Sequence, residues 1–107
     1  MDLEIAVRLT PPLAELTLRG ELDLSNAERV GTAVDQAIAW NCGLVTFDLQ
    51  DVTFTDCSGI RALVEAHQRL DEAASHMWVI GVSPRVSRMM KLTDTESLLG
   101  VADLVSH

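Results

Sequence analysis

The chain has 107 residues, 48% of them hydrophobic, which suits one domain spanning residues 1–107 with a core of its own. Sixteen acids against eight bases leave a net charge of −8, which argues against nucleic acid and anionic membranes and leaves room for a basic protein partner. No apolar run approaches the roughly 20 residues of a membrane span, and Met1-Asp2-Leu3-Glu4 carries acids where a signal peptide carries bases, so the chain reads as cytoplasmic.

Leu3 to Leu9 alternates apolar with mostly polar residues and predicts a strand with one buried face. Thr10-Pro11-Pro12 breaks it, and Ala14 to Arg19 alternates again, so the two predict an antiparallel pair. Ser25 and Glu28 have the S-x-x-E spacing of a capping box, which predicts a helix start there. Its apolar positions are Ala27, Val30, Val34, Ala37 and Ile38, and Asn41-Cys42-Gly43 suits a left-handed end. Leu44 to Leu49 is short and mostly apolar, as in a central strand covered on both faces. A second helix follows, with Ile60, Leu63, Val64, His67, Leu70 and Ala74 on one face; His67 reads as a packed or edge histidine.

Met77 to Val82 predicts a further strand. Ser83-Pro84 then opens a third helix, with serine at the N-cap, proline in the first turn, and Val86, Met89 and Met90 on its apolar side. Leu98 to Val101 predicts a last short strand. The order β-β-α-β-α-β-α-β implies an α/β fold with a mostly parallel sheet and right-handed crossovers.

Residues 53–70, TFTDCSGIRALVEAHQRL, place Ser58 beyond the carboxyl end of a strand and in the first turn of a helix. Function gathers on that side of open α/β sheets. Two readings compete. Ser58 or Asp56 is an ordinary helix cap, or the Ser58 hydroxyl is a modification site whose added charge the helix N-terminus tolerates. A serine hydrolase is disfavoured, because there is no G-x-S-x-G elbow and no histidine placed as a base. There is no Gly-rich phosphate loop, and His67, His76, His107, Cys42 and Cys57 are scattered, so no metal and no cofactor are expected. Cys42 precedes one strand and Cys57 follows it, which predicts two free thiols; Cys57, at a helix start, is a candidate for redox chemistry.

Gly20-Glu21-Leu22-Asp23, then Leu44 to Leu49, then Phe54-Thr55-Asp56-Cys57-Ser58-Gly59-Ile60 together resemble the STAS domain of bacterial anti-sigma-factor antagonists, over about residues 3–100. The resemblance implies a four- to five-stranded sheet with helices packed mainly on one face. It implies a non-enzymatic module that binds an anti-sigma factor, itself a serine kinase with a histidine-kinase-like ATPase fold, and so frees a sigma factor. Phosphorylation at the Ser58 position ends that binding, and a PP2C-type phosphatase restores it. Asp23 matches the acidic residue of the G-E-L-D loop that helps form the docking surface, Asp56 and Gly59 match the flanks of the acceptor, and Glu21, Cys57 and Arg61 are expected to join them in binding the partner. Gly59 is expected to leave Ser58 open to a kinase. Cys57 stands where the family often has serine. STAS domains also serve as interaction subunits of stress-signalling or lipid-transport complexes, where no phosphoserine is required.

Overall fold

The computed structural model describes residues 2–97. The elements run β1 (Glu4–Thr10), β2 (Leu13–Leu22), α1 (Glu28–Ala39), β3 (Leu44–Thr55), α2 (Cys57–Glu72), β4 (His76–Val82) and α3 (Pro84–Leu92). The strands form one sheet in the order β1-β2-β3-β4, with β1 antiparallel to β2 and the other neighbours parallel. The strand expected at Leu98–Val101 lies outside the described residues.

Strand alternation sorts the side chains onto two faces. Ile5, Val7 and Leu9 of β1 stand opposite Leu18, Leu16 and Ala14 of β2. Leu16 stands opposite Phe47, and Phe47 opposite Val79. This row faces the helices. Val30, Ala33, Val34 and Ala37 of α1 and Ile60, Leu63, Ala66 and Leu70 of α2 bury the matching stripes at 3.6-residue spacing. Phe47 is fully enclosed at the centre of the core, where burying a side chain of that size contributes roughly 1.5–3 kcal/mol.

The other face of the sheet carries Glu15, Thr17, Thr46 and Asp48, and no described element covers it. The expectation that β3 is covered on both faces is therefore corrected: Thr46 and Asp48 belong to a half-exposed polar face. On β4 this face presents Trp78 and Ile80, each 48% exposed.

Two local readings also change. β3 runs on past Leu49 to Thr55, because β2 continues through Gly20 to Leu22 and pairs with it across two register shifts. The Ser25–Glu28 capping box does not form. Helix α1 starts at Glu28 with Ala27 at its N-cap and no side-chain cap bond. The Ser25 hydroxyl instead donates to Asp23 Oδ1 at 2.6 Å. Asn26 ties the turn in its place: its Oδ1 accepts from Asp23 N–H, and its Nδ2 donates to the Glu21 carbonyl. The left-handed end of α1 does form, at Asn41 with φ 56°, one residue after Trp40, which is 55% exposed. The β1–β2 connection contains a cis Pro11–Pro12 bond.

Candidate functional site

Two chain segments meet at the carboxyl end of β3. One is the start of α2. Asp56 is its N-cap in extended geometry, and Asp56 Oδ1 accepts from Gly59 N–H at 2.9 Å. This satisfies one of the unpaired amides of the first turn. Capping thus falls to Asp56 and leaves Ser58 without that duty. Ser58 is half-buried, and among the described residues no hydrogen bond holds its hydroxyl. Its oxygen stands in the first turn of a 16-residue helix, where the positive end of the helix dipole favours an added anion.

Gly59 has a different part from the one expected. It is buried, and a Cβ there would run into Thr55 Oγ1 and lie 2.7 Å from the Leu22 carbonyl oxygen. Its missing side chain lets α2 sit against the end of β2. It faces the interior and opens no path to Ser58.

The other segment is the turn from Asp23 to Ala27. Asp23 Oδ1 accepts from both the Ser25 N–H and its hydroxyl, and the Asp23 carbonyl accepts from Ala27 N–H at 2.8 Å. A hydrogen bond ties the turn to α2: Leu24 N–H donates to Asp56 Oδ2 at 3.3 Å. Both oxygens of Asp56 are therefore engaged inside the chain. Gly20, which opens this stretch, has φ 98°, and a Cβ would collide with the Asp2 carbonyl, so this position requires glycine twice over.

From Ser58 a groove of about 640 Å³ runs between α1 and α2, lined by Leu24, Glu28, Gly31, Arg61, Glu65 and Arg69 among others. Arg69 pairs with Asp35 across it and ties the two helices together. Of the residues singled out from sequence, Ser58 and Arg61 line the groove, and Asp56 and Asp23 hold its rim. Cys57 is exposed beside them, Cys42 is buried, and both are free thiols. Glu21 sits at the end of β2 and contributes its carbonyl to the turn. Sequence reasoning missed Leu24, which is 77% exposed at the mouth of the groove.

The family model described as the STAS domain matches residues 4–106. This chain belongs to the STAS domain family. It is 24% identical over 104 residues to the anti-sigma F factor antagonist of Paenibacillus polymyxa, covering 96% of this chain and 89% of that protein. Its fold matches the crystal structure of an anti-sigma factor antagonist from Mycobacterium paratuberculosis with a TM-score of 0.80 at 19% identity, over 94% of this chain and 85% of the other. It also matches the Bacillus cell fate determinant SpoIIAA in its phosphorylated form, with a TM-score of 0.71 at 17% identity, over 96% and 95% of the two chains. In this STAS domain the helix-start serine, the N-cap aspartate and the G-E-L-D turn form one continuous surface. No described helix is long and apolar enough to cross a membrane.

Proposed function

We propose that this STAS domain is a cytoplasmic anti-sigma-factor antagonist that catalyses nothing itself. Its unphosphorylated form binds an anti-sigma factor with a histidine-kinase-like ATPase fold and so releases a sigma factor. The observation that carries this reading is the half-buried Ser58 hydroxyl, which no hydrogen bond holds among the described residues and which shares a groove with the exposed Leu24 while Asp56 does the capping. The named relatives, one of them studied in a phosphorylated form, support the same assignment.

In this reading the partner kinase transfers a phosphoryl group. The Ser58 oxygen attacks the γ-phosphorus of ATP, the bond to the bridging oxygen breaks, ADP leaves, and the hydroxyl proton passes to a base on the kinase. The product carries about −1.5 to −2 charge. In a closed interface, beside Asp23 and Asp56, that charge is repelled and poorly solvated. A loss of about 3 kcal/mol weakens binding more than a hundredfold. A PP2C-type phosphatase hydrolyses the ester and restores the binding form.

The test uses Ser58→Ala and Ser58→Glu chains as baits in the source cell's lysate, with mass spectrometry of what each retains. The expected result is an ATPase-fold anti-sigma factor held by Ser58→Ala and lost by Ser58→Glu. The same purified partner should then add one phosphate to the wild-type chain from ATP, and none to Ser58→Ala. Identical partners on both baits, or none, would return Ser58 to a structural part of the helix start.

A further inference from the structure

Strand β1 is one edge of the sheet, and among the described residues no strand pairs with its outer side. An open strand edge is a template for another chain, and natural edges are commonly blunted by lysine or proline. β1 carries a different pattern, Glu4-Ile5-Ala6-Val7-Arg8-Leu9-Thr10. Glu4, Ala6 and Arg8 are exposed, with Ala6 midway between the acid and the base. On the helix side Ile5 and Val7 are only partly buried, and with Thr32 and Ala33 of α1 they border a notch of about 210 Å³.

We propose that β1 is a self-association edge, at which two copies of this chain pair antiparallel about a two-fold axis at Ala6. In that register Glu4 of each copy stands opposite Arg8 of the other, and Ile5 of each stands opposite Val7 of the other. Centring the axis on Ile5 or Val7 takes the Glu4–Arg8 pairs apart, and centring it on Glu4 or Arg8 sets like charges opposite. The pairing also extends a charge pattern already present in the sheet. Arg19 pairs with Asp51 at 3.6 Å, Glu4 stands opposite Arg19, and Arg8 pairs with Glu15 at 4.0 Å. Across the two copies the row reads Asp51, Arg19, Glu4, then Arg8 and Glu15 of the second copy, alternating in sign throughout. Each exposed ion pair contributes little alone. Backbone hydrogen bonds and the Ile5–Val7 contacts hold the copies together, and the charges select the register. The other edge, β4, has no Asp, Glu, Lys or Arg between His76 and Val82 and carries no such code. The axis stands perpendicular to the sheet, so the helices of both copies share one face. The strands of one copy run opposite to those of the other, which sends the two Ser58 sites to opposite ends.

Sedimentation equilibrium of the full chain tests this, in salt that screens the overall repulsion between two acidic molecules. The wild-type chain should dimerise reversibly in the micromolar to millimolar range, as suits a small interface. Glu4→Arg and Arg8→Glu change exposed positions outside the core. Each sets like charges against each other in both pairs and should weaken association at least about tenfold. Mixing the two variants puts opposite charges back into both pairs, although both chains stay net acidic. The mixture should associate at least about tenfold more tightly than either variant does with itself. It also separates loss of pairing from loss of folding, since misfolded chains would not recover on mixing. A wild-type chain that stays monomeric at millimolar concentration, a dimer that both reversals leave unchanged, or a mixture no tighter than its components would overturn the proposal.

Discussion

At Gly59 the distance between a working site and a misplaced one is a single methyl group. Gly59→Ala would drive its Cβ into Thr55 and the Leu22 carbonyl, and backbone cannot swing aside as a long side chain can. Overpacking of this kind costs typically 1–3 kcal/mol. Urea unfolding of Gly59→Ala should show a loss in that range, and the partner should bind more weakly because the first turn of α2 has moved. Leu24 predicts the opposite pattern. It is almost fully exposed in the free chain, so Leu24→Ala should leave the unfolding midpoint nearly unchanged. An apolar anchor at the centre of an interface is worth about 2 kcal/mol or more on truncation; titration calorimetry against the anti-sigma factor should show a loss of that order. Ser58 and Asp56 could be picked out from sequence because each is a polar residue at a helix start, and Asp23 because its G-E-L-D stretch resembles that of the family. Leu24 could not, since a leucine between Asp23 and Ser25 reads like any strand or core residue until its surroundings are known.

Element order was readable because two periods dominate the chain. Alternation marks β1 and β2, and the 3.6-residue stripes mark α1, α2 and α3. Capping was half readable. Ser83 behaves as its type predicts, its oxygen accepting from Val86 N–H at the start of α3. Ser25 does not, because the competing local bonds of Asp23 and Asn26 decide that turn. The two serines therefore make a matched pair for stability. Ser83→Ala removes a cap and leaves a buried amide unpaired, a loss of about 0.5–2 kcal/mol. Ser25→Ala removes only an exposed contact and should cost less; thermal unfolding of both variants checks the order. The far half of β3 was not readable, because Gln50 and Asp51 interrupt the apolar pattern. Its strand geometry comes from pairing with Gly20–Leu22, some thirty residues earlier. Information of that range is carried by the register, not by the local sequence.

Among the described residues the helices lie on one face of a mixed sheet and no element covers the other, and the chain carries a charge of −8. A chain this acidic should draw a basic partner from a distance. Raising ionic strength shortens the Debye length from about 10 Å at 0.1 M to about 3 Å at 1 M. Stopped-flow association with the anti-sigma factor should slow markedly over that range while the dissociation rate changes less. The chain's two tryptophans bear on how such an experiment is read. Trp40 follows α1 near the amino end of β3, and Trp78 projects from the sheet face opposite the described helices. Both are about half exposed, and Ser58 lies beyond the other end of β3. Neither indole is placed to sense what happens at the groove. The intrinsic emission of this protein should therefore stay constant as a partner docks or a phosphate is added, so any spectral change on mixing belongs to the other molecule.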